Sequence, residues 1–198
     1  MKIEYHFILT FLILTLSLVV LYKVSDCQDY IQVANTNDPK VDRRPIWLCS
    51  DNNNKFSRIT NFYNKERRLQ SMGILDKWSI THITHGFLIF SILLYLNNYK
   101  KTVNLFYLTL FIEIVWEIFE NTSIIINKYR RSRTMYRDYS GDSIANMISD
   151  TLFCLLGSAI AWYLPMYMII LAILFFEILS YIIIDDTILI NIYSLLVA

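Results

Sequence analysis

Apolar residues in this chain fall into five long blocks separated by polar stretches, with no alternation of period two. The first block, Phe7–Tyr22, reaches about the length a bilayer requires once Tyr5 and His6 are added. The others are Thr81–Leu96, Val103–Glu120, Ser143–Leu164 and Pro165–Ile184. Runs this long and continuous predict helices, because only helices and closed barrels satisfy their backbone in lipid. The predicted fold is all-α: a polytopic membrane helical bundle of about five transmembrane helices, with an extramembrane segment after the first.

The punctuation supports this reading. Asn97-Asn98-Tyr99-Lys100-Lys101 is a turn between the second and third spans, and Pro165 makes the last two an antiparallel hairpin. Trp78, Tyr99, Trp162 and Tyr163 cluster at span ends, as in an interfacial belt. Lys2 precedes the first block as in a signal peptide, but no small-x-small cleavage pattern follows, and Asp26 stands before Cys27. The expectation is therefore an uncleaved anchor helix over 1–22, an extramembrane segment over 23–78, and a four-helix transmembrane core over 79–198. Within the middle segment, Phe56–Met72 places Ile59, Phe62, Tyr63 and Leu69 near one helical face, with Arg58, Lys65, Glu66, Arg67 and Arg68 around the rest. That pattern suits an interfacial helix or an ordinary helix of a small cap.

Composition agrees. Hydrophobic types make up 55% and charged types 18% of the 198 residues, against roughly a quarter charged in a soluble domain. Mean hydropathy is +0.39. Eighteen Lys and Arg against seventeen Asp and Glu leave a net charge of +1, so nucleic acid is not an expected partner; membrane lipids are. Three cysteines without a CxxC pair exclude a disulfide scaffold.

The informative residues are the polar ones that interrupt the apolar blocks. His82 and His85 open the second span one turn apart, and Glu113, Glu117 and Glu120 share one stripe of the third. Asp142, Asn146 and Asp150 recur at i, i+4 and i+8 in the fourth, and the fifth carries Glu177 and ends on Asp185-Asp186. Five spans put the start of the second, the end of the third, the start of the fourth and the end of the fifth on one membrane face. Helical rise then pairs Glu113 with Asp150, Glu117 with Asn146 and Glu120 with Asp142 in depth, with both histidines at the mouth. An ionised acid near the bilayer centre costs about 2.5–3.5 kcal/mol even on lenient scales, so such a set must share protons, pair with cations or hold a metal.

The candidate metal ligands are His82, His85, Glu117, Asp142 and Asp150, with Glu117, Asp150 and Asn146 as candidate catalytic groups. Imidazole with carboxylate suits a divalent metal such as Zn, Mn or Fe. The spacing matches neither HExxH nor the ferritin-like Glu-x-x-His pair. Asp142 equally suits an N-cap, and His82 a hydrogen-bonded helix start. The basic run Asn127–Tyr139 reads as a loop on the same face that meets anionic headgroups or clamps an anionic substrate through Arg130, Arg131, Arg133 and Tyr139. Because most basic residues lie in loops of this face, the positive-inside rule places it in the cytoplasm.

The segment WEIFENTSIIINKYR…DYSGDSIANMISD (Trp116–Asp150), with SITHITHGF (Ser79–Phe87) before it and Glu177, Asp186 and Asn191 after it, resembles an uncharacterised family. Its members are small multi-pass inner-membrane proteins found mainly in α-proteobacteria. The resemblance runs from about Pro45 to Leu196 and implies importance for His82, His85, Glu117, Glu120, Asn121, Tyr139, Gly141, Asp142, Asn146, Asp150, Glu177, Asp186 and Asn191. The chain departs from the family pattern at Trp47-Leu48-Cys49-Ser50, at Ile80 and at Asp185-Asp186-Thr187. A fainter similarity to VanZ-like membrane proteins rests on WE…GD…N…D. Neither resemblance implies a reaction.

The expected location is the bacterial inner membrane. The leading expectation for function is a metal-assisted hydrolase or transferase on a phosphorylated or lipid-linked envelope substrate. The alternatives are a transporter or proton relay, and a structural or resistance factor whose polar stripes knit helices together.

Overall fold

The computed structural model describes residues 71, 75–132, 136, 139, 141–142 and 144–197. The anchor helix over 1–22, the amphipathic helix over Phe56–Met72, and Arg133 lie outside the described residues. Within them the chain is helical and has no β-strand: α1 (Ser79–Leu96), α2 (Val103–Glu120), α3 (Ser123–Ser132), α4 (Ile144–Tyr163), α5 (Met166–Ile184) and α6 (Ile188–Val197). By length and composition α1 and α5 are apolar enough to cross a membrane.

Local chemistry sets the helix ends. Asp76 Oδ1 accepts the Ser79 amide at 2.9 Å while Ser79 Oγ accepts the Asp76 amide at 3.2 Å, a reciprocal cap that starts α1. Asn98 (φ 53°) and Tyr99 (φ 59°) turn the chain between α1 and α2. Lys101 Nζ ties that turn to the Trp162 carbonyl at the end of α4. Pro165, with φ at −72°, opens α5 directly after α4.

The helix α1 is the hub, packed on α4 and also on α5 and α2. Its crossing with α4 is set by two glycines. A Cβ at Gly86 would stand 2.0 Å from the Cys154 carbonyl oxygen, and one at Gly157 would stand 2.2 Å from that of Ile83. Backbones this close let Ser158 Oγ reach the Gly86 carbonyl at 3.3 Å. The apolar core (Phe87, Phe90, Leu94, Leu105, Ala161 and Ile169) fills the turn end of the bundle, with Phe106 stacked on Trp162.

The other end is polar inside. Among the described residues, 21 buried polar side chains stand against 16 buried apolar ones. Apolar side chains face outward instead. Ile148, Leu152, Leu156 and Ile160 form an exposed i, i+4 stripe on α4, and Leu171, Leu174, Phe175, Ile178 and Ile182 of α5 are each more than half exposed.

Two elements correct the sequence reading. Residues 123–132 are helical, so the basic run begins within a helix: Ile125, Ile126 and Tyr129 are buried along one side of α3. The chain after Ile184 also continues as a helix. Asp185 adopts the left-handed conformation (φ 57°), and the Glu177 carboxylate accepts the Ile188 amide at 3.1 Å and the Leu189 amide at 3.5 Å to start α6. Glu177 therefore caps α6. The helices α3 and α6 pack together beside the polar end, joined by Tyr129 donating to Asn191 Oδ1 and by Lys128 donating to the Leu195 carbonyl at 2.9 Å.

Candidate functional site

The polar stripes expected on three helices do converge, and His82 is their centre. Its Nδ1 lies 2.7 Å from Glu113 Oε1 and 3.3 Å from Glu117 Oε1, while Nε2 lies 3.7 Å from Asp150 Oδ2. His85, one turn along α1, places Nδ1 3.3 Å from the same Glu113 oxygen. The two imidazoles meet edge to face at 4.9 Å, and Trp116 borders His85 at 6.2 Å.

The histidines therefore sit deeper than the expected mouth position. They meet Glu113, the acid furthest from the end of α2, because the segment before α1 is itself buried: Asp76 is 2% exposed. Glu113 is wholly buried, and its Oε2 has no hydrogen-bond partner among the described residues. Two triads offer one ligand atom each within 4.8 Å of one another: His82–His85–Glu113 and His82–Glu117–Asp150. Of the expected ligands, His82, His85, Glu117 and Asp150 are thus brought together, and Glu113 joins them.

Asp142 stands apart. Asn121 Oδ1 accepts the Asp142 amide at 2.6 Å, while Asn121 Nδ2 and Tyr139 Oη donate to Asp142 Oδ2 at 3.0 and 2.7 Å. Gly141 (φ 86°) makes the bend that presents this residue. Asn121 thereby locks the end of α2 to the approach of α4. Burial raises the Asp142 carboxyl above its usual range, against the hydrogen bonds from Tyr139, Asn121 and Ser71 that favour its charged form. The Tyr139 and Tyr129 phenols are pushed well up by burial first and nearby acids second.

Asp76 is the participant that sequence reasoning missed. Ser79 Oγ bridges it to Asp150 Oδ1 at 3.3 Å on each side, and Asn146 Nδ2 reaches Asp76 Oδ2 at 3.4 Å. Burial, and then the charge of Asp142, raise its carboxyl to about 7. The signal available was Asp76-x-x-Ser79 ahead of an apolar run, a helix-start pattern that carries an acid into the site.

The basic residues of α3 do not line this site. Arg130 is buried with Nε donating to the Tyr139 carbonyl at 2.6 Å, and Arg131 Nε donates to the Asn127 carbonyl at 3.1 Å. Tyr139 does line it. A cavity of about 60 Å³ lies over the histidines, walled by Asp76, Glu120, Asp142, Asp150 and Asp186 and by the rings of Trp78, Trp116, Tyr129, Tyr136 and Tyr139.

A helical protein with an apolar exterior and a His–carboxylate centre at the crossing of three helices is the class that this fold and site define. The chain belongs to the DUF2585 family, described as a protein of unknown function, whose model matches residues 45–198. Its relatives are α-proteobacterial. A UPF0314 protein of Brucella anthropi is 37% identical over 126 residues, covering 64% of each chain. A UPF0314 protein of Rhizobium etli is 36% identical over 126 residues, again 64% of each. One from Sphingopyxis alaskensis is 39% identical over 87 residues, covering 44% of this chain and 46% of its own. The chain thus spans about 64% of the length of the first two. No solved structure matches it.

Proposed function

We propose that this chain is a multi-pass inner-membrane protein of about five spans, and that its buried centre is a divalent-metal site with hydrolase or transferase activity on a lipid-linked envelope substrate. The apolar exterior of α4 and α5 around a polar interior supports the membrane reading, since lipid rewards that distribution and water does not. The observation that carries the metal reading is the position of His82, within 3.7 Å of carboxylates from Glu113, Glu117 and Asp150 on two other helices.

In this reading His82, His85 and Glu113 would hold the metal. A divalent metal held there would supply Lewis acidity and water activation. Glu117, 3.3 Å from His82 Nδ1, and Asp150, 3.7 Å from its Nε2, would take up and return a proton, and Asn146 would orient the reacting group. Asp142 shapes the approach.

The test is turnover by purified, metal-loaded protein in nanodiscs against phospholipid and polyprenyl-phosphate substrates. Metal-dependent product release, lost in Glu117→Gln and Asp150→Asn at normal protein levels, is expected. Equal release by parent and both variants would remove the catalytic assignment. A second reading, a proton relay, draws on one observation: His85, Glu113, His82 and Asp150 form a continuous chain of contacts no longer than 3.7 Å. It is favoured if the purified protein carries no metal and moves protons across vesicles.

A further inference from the structure

The sequence suggested an anionic substrate clamped by arginines. The side-chain arrangement argues for the opposite charge at the cavity. Among the described residues, five carboxyl groups line the cavity and no lysine or arginine does. Each basic side chain of α3 donates to a backbone carbonyl, Lys128 to Leu195, Arg130 to Tyr139 and Arg131 to Asn127, and Arg130 also donates to Asn127 Oδ1 at 3.3 Å.

Four more aromatic rings line the cavity. Tyr129 and Tyr136 stand 5.1 Å apart between ring centres, with Tyr139 5.8 Å from Tyr129 and Trp78 6.4 Å from Tyr136. Tyr136 is 5% exposed, and its hydroxyl has no hydrogen-bond partner among the described residues although the residue lines the cavity. A buried hydroxyl left unpaired beside a cavity costs about 1–3 kcal/mol, which a ligand polar atom would recover. Asp186, 1% exposed, accepts the Thr187 amide through Oδ1 and also lines the cavity.

We infer that the cavity above the His82 centre binds a protonated amine, as borne by an amine-bearing lipid headgroup. Aromatic faces and carboxyl groups both favour a cation over an anion or a neutral polyol. This deepens the proposed function by naming the charge of the substrate end that lies away from the metal. It also replaces Arg130 and Arg131 with Asp186 and Tyr136 as the substrate-binding residues.

The experiment is a titration of the purified full-length protein in detergent with propylamine, inorganic phosphate and methyl glucoside, read as a shift in melting temperature, on a preparation whose metal content has been measured. Saturable stabilisation by propylamine alone is expected. Binding should weaken about tenfold in Asp186→Asn, which keeps the side-chain shape, and several-fold in Tyr136→Phe. Stabilisation by phosphate or methyl glucoside in preference to the amine would overturn the inference. So would an amine response unchanged in both variants. Bound metal with no amine response would reject the inference and leave the proposed centre standing, whereas an amine response without bound metal would reject the centre and keep the inference.

Discussion

Glu113, wholly buried in α2, lies 2.7 Å from His82 Nδ1 of α1, and the contact joins the two helices at the depth where the bundle is least able to solvate a charge. Among the described residues neither pairs with a lysine or arginine. Removing Glu113 would leave His82 with Glu117 and Asp150, and removing His82 would leave Glu113 with His85.

Asp76 connects this centre to pH. Its carboxyl is raised from 3.8 to about 7, so the folded state holds a proton that the unfolded state releases. A group bound more tightly to its proton in the folded state contributes stability below pH 4 that is lost as pH climbs through 7. The full difference corresponds to ~4 kcal/mol at most. Metal-free protein should therefore melt at progressively lower temperature between pH 5 and 8, and Asp76→Asn should flatten that slope. An unchanged slope in the variant would reject the assignment.

Packing of α1 on α4 leaves no room for a methyl group at either glycine. Gly86→Ala brings a Cβ to 2.0 Å from a backbone oxygen, which cannot rotate away. The helices must separate, at a cost of ~3 kcal/mol or more. Gly86→Ala and Gly157→Ala should each reduce the yield of monodisperse protein and lower its melting temperature by several degrees. Parental stability in both would contradict the close crossing.

Asn121 holds Asp142 by two hydrogen bonds, one to the amide and one to the carboxylate. Asn121→Ala should destabilise by about 1–3 kcal/mol through the orphaned Asp142 amide and the lost donor to its carboxyl. Asn121→Asp turns the donor facing Asp142 Oδ2 into an acceptor. Its deficit should grow as pH rises and both carboxyls ionise, a trend that melting curves at pH 5 and pH 8 would reveal or refute.

Much of this was legible in the sequence because lipid-length apolar blocks announce themselves. The expected Val103–Glu120 coincides with α2, and Thr81–Leu96, Ser143–Leu164 and Pro165–Ile184 differ from α1, α4 and α5 by no more than two residues at either end. The convergence of His82, Glu117 and Asp150 followed from helical periodicity and alternating topology. The short elements did not. The helix α3 hid behind its run of basic residues, and α6 behind Asp185-Asp186, which looks like a terminus but is a left-handed reversal capped by Glu177. Of the expected clamp, Tyr139 lines the cavity while Arg130 and Arg131 do not, because charge counts along a loop do not reveal that Arg130 turns inward to a carbonyl. The role of Gly86 and Gly157 depends on which helices touch, which local pattern does not encode.

The most direct test is the metal content of protein purified from membranes without chelating steps, measured by mass spectrometry against protein concentration for the parent, His82→Gln and Glu113→Gln. About one divalent ion per chain in the parent, falling at least tenfold in both variants while their helical content stays at the parent's, is expected. A parent with no stoichiometric metal, or variants that retain it, would contradict a metal centre built on His82.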